Sequence, residues 1–279
     1  MGAVAKKGWL RQSPVLSEGI DDMIFDTHAH YDDEKFDEDR EILLPGLAKA
    51  GIGAVVNVAA SMESCWTTLE LIKQYPWMYG ALGVHPSESR PLTEEDMDWI
   101  EAQCRSNQEK IRAVGEIGLD YYWEEPEHEI QKKWFVRQLE LAKGLSLPVI
   151  IHSRDAAKDT LDIMKGEKAG DIGGVIHCFS YGTEMAREYL NMGFFIGVGG
   201  VVTFNNAKKL KEVVEYVPLS SIVLETDCPY LAPVPNRGKR NSSRNLPYVA
   251  EAISQIKGIG QEEVERITGE NAMRLYRLS

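Results

Sequence analysis

The sequence is poor in cysteine: four cysteines occur among 279 residues, with neither a CxxC pair nor a regular spacing. A chain of this length buries roughly three quarters of the surface that it exposes when unfolded, so it needs no disulfide to be stable. Cysteines without a paired pattern are typical of the reduced thiols of intracellular proteins. We therefore expect free thiols and a cytoplasmic protein.

Long apolar segments are also missing. The longest apolar run, residues 192–204, is rich in glycine and falls short of the roughly 20 residues that span a bilayer. The N-terminal segment carries Lys6, Lys7 and Arg11 with no apolar core after them, so no signal peptide is expected. These absences argue against a membrane partner.

Basic residues are outnumbered, with 31 Lys and Arg against 43 Asp and Glu and a net charge of −12. A protein that coats duplex DNA without specificity needs a basic face, so the net charge argues against this class. An enzyme that takes a phosphate into a metal-filled pocket is not excluded, because the ions supply the positive charge.

A regular alternation of two kinds of segment occupies the chain from Met23 onward. Eight short apolar or β-branched runs lie at residues 23–28, 53–60, 78–85, 111–118, 147–153, 173–179, 193–200 and 221–227. Amphipathic, helix-like segments lie at residues 37–50, 62–75, 93–107, 127–145, 156–165, 183–192, 205–214, 247–257 and 261–276. Apolar runs that alternate with helices indicate a parallel sheet covered on both faces.

Eight such units in about 250 residues predict an α/β fold, a (β/α)8 TIM barrel, as a single domain over residues 23–279. An open, doubly wound sheet is the alternative, but no GxGxxG turn opens a first helix here. Residues 1–22 show no strand and no clear periodicity, and we expect them to be a leader or tag-like extension.

Side chains that can bind a metal ion stand at the ends of these runs. They are His28 and His30 in the first run, Glu116 in the fourth, His152 in the fifth, His177 in the sixth and Asp227 in the eighth. The C-terminal ends of barrel strands converge on one face, where active sites of this fold lie. A single histidine at a strand end is more often structural, but six ligands at corresponding positions favour a common site.

The chemistry of this set points to divalent ions. Imidazole and carboxylate ligands suit Zn²⁺, Mn²⁺ and Mg²⁺. Alternate residues of a strand point the same way, so His28 and His30 can face one ion. Catalytic zinc usually takes three protein ligands, so six candidates predict two ions. Glu116 is the candidate bridge between them, because its run is adjacent to the fifth and lies across the barrel from the eighth.

Further residues near this face are candidates for substrate binding. His85 ends the third run and either contacts substrate or is a structural turn histidine. The basic segment at residues 235–245 is either a solvated loop or a phosphate clamp, since Arg binds phosphate bidentately and loops near strands 7 and 8 often bind it. The clamp residues would be Arg237, Lys239 and Arg240, with Arg154 joining them from the end of the fifth run.

Five blocks of the sequence, in order, resemble the signature blocks of the TatD-type metal-dependent hydrolases. The blocks are FDTHAHYD, GEIGLDYY, PVIIHSRDA, HCFS and LETDCPYLAP, the last followed by RGKRN. The resemblance runs from about Met23 to the C-terminus and implies an amidohydrolase-type barrel with two metal ions. By motif, one ion would be held by His28, His30, Glu116 and Asp227, and the other by Glu116, His152 and His177.

The resemblance implies a divalent-metal-dependent deoxyribonuclease that cleaves phosphodiesters as a 3′–5′ exonuclease, with DNA as its partner. A metal ion lowers the pKa of bound water to roughly 7, so hydroxide is available at neutral pH. Glu116 and Asp227 are the expected catalytic residues, and Asp227 serves as ligand, general base or both.

Two other classes of function remain as alternatives. The same site could hydrolyse an amide, a lactone or another ester, such as a D-aminoacyl-tRNA. A non-catalytic metal-bound scaffold that binds a partner protein is the second alternative. The basic segment favours a phosphate-bearing substrate, and the intact ligand set argues against a scaffold. The sequence does not specify the oligomeric state, and a monomer is compatible with it.

Overall fold

A computed structural model describes residues 23–278, and the expected extension at residues 1–22 lies outside them. Eight parallel strands follow one another in chain order around a nearly closed barrel. The strands are β1 Ile24–Ala29, β2 Ile52–Val58, β3 Met78–Leu82, β4 Ile111–Asp120, β5 Val149–Arg154, β6 Gly174–Ile176, β7 Phe195–Val198 and β8 Ile222–Leu224. The prediction of a (β/α)8 TIM barrel is confirmed.

Helices alternate with the strands and form the outer layer. They are α1 Arg40–Leu43, α2 Met62–Gln74, α3 Glu94–Ser106, α4 His128–Leu145, α5 Ala157–Gly166, α6 Thr183–Asn191, α7 Lys208–Tyr216, α8 Leu246–Lys257 and α9 Gln261–Tyr276. Helices α2 to α9 lie within a few residues of their predicted positions. Within residues 23–278, no helix is long and apolar enough to cross a membrane.

The prediction of a continuous helix over residues 37–50 is wrong. The segment instead forms the single turn α1 followed by two 3₁₀ turns, Leu44–Gly46 and Ala48–Ala50. Pro45 has no backbone N–H to donate to the carbonyl four residues earlier, so the α-helical hydrogen-bond pattern stops here although Leu44 keeps a helical φ and ψ.

The two ends of the barrel differ in polarity. At the N-terminal end, Phe25 stacks on Tyr79 and Tyr276 with ring centroids 6.5 and 6.0 Å apart. Tyr276 belongs to α9, and its hydroxyl donates to the Thr27 carbonyl at 2.7 Å. Apolar side chains therefore fill this end, and the polar residues that follow along the strands lie toward the C-terminal end.

The contact between β8 and β1 closes the barrel close to the predicted ligands. It consists of a single parallel bridge between Ala29 and Cys228, and the Thr27 hydroxyl donates to the Leu224 carbonyl at 2.9 Å. The N–H of Asp227 donates to the His28 carbonyl at 2.9 Å. The closure thus holds two predicted ligands on neighbouring backbones.

Candidate metal centre

Glu116 lies at the centre of the six predicted ligands. Its Oε2 is 3.4 Å from His28 Nε2 and 3.7 Å from His30 Nε2. Its Oε1 is 2.8 Å from His152 Nδ1 and 3.6 Å from His177 Nε2. The two oxygens of one buried carboxylate therefore face two different pairs of imidazoles.

Asp227 completes the cluster on the side of β1. Its Oδ1 lies 3.3 Å from His30 Nε2, 3.7 Å from His28 Nε2 and 3.6 Å from His177 Nε2. The Asp227 side chain is 19% exposed, whereas that of Glu116 is 5% exposed. Asp227 is therefore the carboxylate of the cluster that solvent reaches more easily.

A bulge in β4 aims Glu116 into the barrel mouth. Val114 pairs with Val149 and Ile117 with Ile151, so Gly115 and Glu116 together oppose one residue of β5. A Cβ on Gly115 would lie 2.6 Å from the Cβ of Ile150, so only glycine fits there. Glu116 was predicted at the end of its strand, but β4 continues to Asp120 and the bulge, rather than the strand end, orients the side chain.

Three ligands lie just beyond their strands instead of within them. Strand β1 ends at Ala29, one residue before His30. Strand β6 ends at Ile176, one residue before His177, and β8 ends at Leu224, three residues before Asp227. Asp227 has a φ of 55°, in the left-handed region that aspartate tolerates better than most residues. The turn out of β8 therefore directs this carboxylate back toward the cluster.

Three of the histidines have one ring nitrogen fixed by a partner outside the cluster. His30 Nδ1 lies 2.8 Å from the Val58 carbonyl, which can only accept, so Nδ1 carries a proton. His177 Nδ1 lies 3.2 Å from Glu225 Oε2, and His152 Nε2 lies 3.0 Å from Asp120 Oδ2. In the neutral form of each ring, the outer N–H donates to these oxygens and the other nitrogen presents a lone pair to the cluster.

This arrangement fits a metal ion. Lone pairs and carboxylate oxygens that face each other repel unless a proton or a cation lies between them. Two nitrogen ligands of one zinc ion lie about 3.4 Å apart at the tetrahedral angle, since each Zn–N bond is about 2.1 Å. The Nε2 atoms of His28 and His30 are 3.0 Å apart, a separation that suits two ligands of a common ion. Outer partners of this kind orient ligand histidines in metal sites.

The charges of the cluster shift its pKa values strongly. Burial lowers the pKa of His30, but Asp227 and Glu116 outweigh it and raise the pKa to about 9. Burial also opposes the charged form of His177, yet Glu225 and Glu116 raise its pKa to about 10. Burial acts to raise the pKa of Glu116, but the facing imidazoles, His177 foremost, hold it well below its usual range. The site therefore stabilises positive charge at its imidazoles.

Sequence reasoning missed Asp120 and Glu225, which hold the outer nitrogens of His152 and His177. Glu225 is almost fully buried, and a Cβ on Gly197 would lie 2.3 Å from its Oε2, so glycine leaves room for this carboxylate. A signal was present in the sequence: ligand histidines usually donate their second N–H to a carboxylate or carbonyl. Both acids stand at a strand end, in GLD and in LETD.

A third missed carboxylate, Asp26, joins the segments around the site. Its Oδ2 accepts from the hydroxyls of Thr226 at 2.7 Å and Ser243 at 2.6 Å. Its Oδ1 accepts from the N–H groups of Thr226 at 3.1 Å and His28 at 3.3 Å. Asp26 therefore fixes β1 to the residue before Asp227 and to the loop that follows β8.

His85, a predicted substrate contact, lies beside the half of the cluster that contains His152. The two rings pack edge-on with centroids 4.2 Å apart, and a His85 nitrogen lies within 4.8 Å of ligand atoms of Glu116 and His152. His85 Nδ1 accepts from the Ser87 N–H at 3.2 Å, so the proton of the neutral ring lies on Nε2. Burial lowers the pKa of His85 to about 3, and the ring is neutral at pH 7.

Arg240, a predicted phosphate contact, is engaged with protein groups. Its Nη1 donates to Asp39 Oδ1 at 2.8 Å, and its Nη2 donates to the other oxygen of the same carboxylate. It also donates to the Lys35 carbonyl. Arg240 thus anchors the loop after β8 to the segment after β1.

The other predicted phosphate contacts are exposed. The Arg154 guanidinium lies 3.7 Å from the centroid of the Tyr122 ring, and that of Arg237 lies 4.3 Å from the Phe204 ring. Lys239 is exposed in the same loop as Arg237. Unlike Arg240, these three cations form no ion pair with a carboxylate within residues 23–278.

Comparisons with known proteins agree on one family. A family model described as TatD related DNase matches residues 25–277. The chain is 44% identical to the uncharacterized metal-dependent hydrolase YabD of Bacillus subtilis, across 92% of this chain and 100% of that protein. It is 36% identical to the uncharacterized metal-dependent hydrolase YcfH of Escherichia coli, across 91% and 96%. The crystal structure of the Escherichia coli TatD homolog YJJV superposes with a TM-score of 0.87 and 31% identity, across 94% of this chain and 100% of that one.

Proposed function

Because the chain belongs to the TatD family of metal-dependent hydrolases, we propose that it is a deoxyribonuclease that removes nucleotides in the 3′–5′ direction with two divalent ions. The coarser activity, metal-dependent hydrolysis, is that of the family. We propose three further properties: a phosphodiester substrate, 3′–5′ cleavage and two ions.

The division of Glu116 between two sets of imidazoles carries the proposal. Its Oε2 faces His28 and His30, and its Oε1 faces His152 and His177. A carboxylate in this position can bridge two ions a few ångströms apart, as in two-metal phosphodiesterase sites. His28, His30, Glu116 and Asp227 would hold one ion, and Glu116, His152 and His177 the other.

Divalent ions bound there supply Lewis acidity and activate water at neutral pH. Asp227 would accept the proton of the attacking water, because its carboxylate is the more exposed of the two in the cluster. Burial acts to raise the pKa of Asp227, but the imidazoles around it, His30 foremost, lower the pKa, so the carboxylate is ionised and able to accept. A general base needs both this reach and this ionisation.

The exposed cations favour a phosphate over a neutral carbonyl substrate. Arg154 stands two residues beyond His152 on β5, and Arg237 and Lys239 lie in the loop after β8. Guanidinium groups bind phosphate oxygens with paired hydrogen bonds. The matching family is described as TatD related DNase, which agrees with this substrate class.

The direct test is release of nucleotides from single-stranded DNA labelled at one end, with Mg²⁺, Mn²⁺ or Zn²⁺ and with EDTA. We expect stepwise shortening from the 3′ end that stops with chelator and in Glu116→Gln. Glu129→Gln is the matched control, because its side chain is 85% exposed on α4. Cleavage that survives chelation, or that Glu116→Gln retains, would refute the proposal.

A substrate panel separates the alternatives. Lactones, amides and a D-aminoacyl-tRNA are assayed beside DNA under the same ion conditions. A higher kcat/KM for one of these than for DNA would replace the nuclease assignment while leaving the metal-dependent hydrolase in place. Absence of every activity together with tight metal binding would support the scaffold alternative.

A further inference from the structure

An exposed aromatic pair stands on the rim beside the candidate metal centre. Tyr122 and Trp123, in the loop between β4 and α4, are 54% and 55% exposed. Their rings are perpendicular, with centroids 4.8 Å apart. The mechanism proposed above uses neither ring, and both stand largely in water. Adjacent exposed apolar groups of this kind are typical of ligand-binding grooves and interaction sites.

Two consecutive hydrogen bonds connect this pair to a predicted ligand. The Tyr122 N–H donates to Asp120 Oδ1 at 2.9 Å, and Asp120 Oδ2 lies 3.0 Å from His152 Nε2. The position of the loop is therefore fixed relative to the metal centre. Trp123 directly follows Tyr122, the residue that is hydrogen-bonded to the Asp120 carboxylate.

A groove runs along Trp123 and is bounded on its other side by Ser87. Its volume is about 510 Å³. The Ser87 hydroxyl lies 2.8 Å from His85 Nδ1, and His85 packs on His152 with ring centroids 4.2 Å apart. Both walls of the groove are therefore connected to His152, one through His85 and the other through Asp120, so the groove opens next to the metal centre.

The charges around the groove select an uncharged occupant. Glu124 and Glu125 line it, and Arg90 pairs with Glu125. An acidic lining repels a phosphate, whereas a neutral base is compatible with it. The Arg154 guanidinium covers one face of Tyr122, which leaves Trp123 as the aromatic surface for a ligand. Bases stack on such side chains without regard to sequence, because every base has a π-face.

We infer that Trp123, supported by Tyr122, forms a stacking site for an unpaired nucleobase that flanks the scissile phosphate. The inference rests on the proposed function and adds a substrate-binding element to it. The phosphate would lie at the metal centre with Arg154 beside it, and the attached base would enter the groove. A base held in a duplex cannot stack in this way, so the site selects single strands or frayed ends.

The test compares two phosphodiesters that share a leaving group, thymidine 5′-(p-nitrophenyl phosphate) and methyl p-nitrophenyl phosphate. We expect Trp123→Ala to lower kcat/KM for the thymidine ester roughly tenfold or more and to leave the methyl ester unchanged. Trp66→Ala is the matched control, because Trp66 is also 55% exposed but packs on Trp99 in the outer helical layer. Equal losses for the two esters, or no loss for either, would overturn the stacking site.

A binding measurement keeps this test separate from that of the proposed function. Fluorescence anisotropy with a labelled oligothymidylate and an abasic oligonucleotide of the same length reports stacking without turnover. We expect Trp123→Ala, but not Trp66→Ala, to weaken binding of the oligothymidylate and to leave the abasic strand unaffected. If neither the esters nor single-stranded DNA are hydrolysed with any ion, the proposed function fails and this measurement alone decides on the site. Identical affinities in wild type and Trp123→Ala would then reject it.

Discussion

Glu116 should be the least replaceable residue of the cluster, because four imidazoles depend on its two oxygens. Glu116→Gln keeps the size of the side chain and removes its charge. We expect metal affinity to fall by more than about 100-fold, beyond the usual effect of an outer hydrogen-bond partner. Isothermal titration with Zn²⁺ or Mn²⁺, together with the metal content after dialysis, measures this loss. Unchanged metal content in Glu116→Gln would show that the carboxylate is not a ligand.

Substitution of Asp120 or Glu225, the hydrogen-bond partners outside the cluster, should lower metal affinity less than substitution of Glu116, and by similar amounts. Asp120→Asn and Glu225→Gln retain a hydrogen-bond acceptor for His152 and His177 but remove the charge that orients the ring and makes it more basic. We expect each to weaken metal binding by roughly 10- to 100-fold. Titration of the two variants beside Glu129→Gln tests this. A loss in Glu129→Gln of the same size would mean that the effect is not specific to these partners.

The sequence predicts the ligand candidates but not the carboxylates that orient them. The six ligand candidates could be chosen because each is a histidine or carboxylate close to the end of an apolar run. Asp120 and Glu225 stand in equivalent places, but their role depends on which ring nitrogen faces outward, and that depends on the geometry of neighbouring strands. Arg240 shows the converse, since its partner Asp39 lies far away in the sequence and pairs with it only in the fold.

At the scale of the elements, the strands could be predicted because they are buried on both faces. All six residues of β1 and all five of β3 are buried. The β3 sequence, MYGAL, is apolar or nearly so throughout, whereas β1, IFDTHA, also carries the buried polar residues Asp26, Thr27 and His28. The bulge in β4 could not be predicted, because it is defined by pairing with β5 and not by its own residue types. The segment after β1 carries an amphipathic pattern that predicts one helix, but Pro45 interrupts the helical hydrogen bonds within it.

Strand β4 also contains a glycine, Gly118, at a position where no side chain fits. Gly118 has a φ of 145°, and a Cβ at this position would lie 1.9 Å from the His152 carbonyl oxygen. We expect Gly118→Ala to lower the free energy of unfolding by about 2 kcal/mol or more, since an unfavourable backbone conformation alone costs about 1–3 kcal/mol. Urea denaturation followed by circular dichroism measures the change.

Gly144 provides the control for this substitution. It lies in α4, and a Cβ there meets no atom within 4 Å. Alanine at a helical position is favoured over glycine by roughly 0.5–1 kcal/mol, so Gly144→Ala should be neutral or stabilising. A Gly118→Ala protein as stable as Gly144→Ala would show that β4 relaxes without cost at its bulge.

At the scale of the whole molecule, the barrel separates stability from chemistry. The N-terminal end is filled by rings such as Phe25 and Tyr276, whereas the C-terminal end gathers carboxylates and imidazoles around Glu116. The net charge of −12 is compatible with a phosphate substrate only if cations are supplied at the mouth, which the ions and the exposed arginines would do. The order of strands follows the order of the chain, which is why residues some 200 positions apart could be assigned to one face from the sequence.

Metal binding should therefore stabilise the whole barrel, because the ligands come from β1, β4 and β5 and from the segments after β1, β6 and β8. A ligand that binds only the folded state at about 100 times its Kd adds about 2.7 kcal/mol. For a chain of this size, each kcal/mol raises Tm by about 2–4 °C, so metal should raise Tm by about 5–10 °C. Differential scanning calorimetry of protein treated with EDTA and then dialysed, with and without added Zn²⁺ or Mn²⁺, gives the shift. Glu116→Gln should lose most of this response and Trp123→Ala should retain it, because Trp123 lies outside the ligand set. A response that is the same in all three proteins would mean that the ion binds elsewhere in the chain.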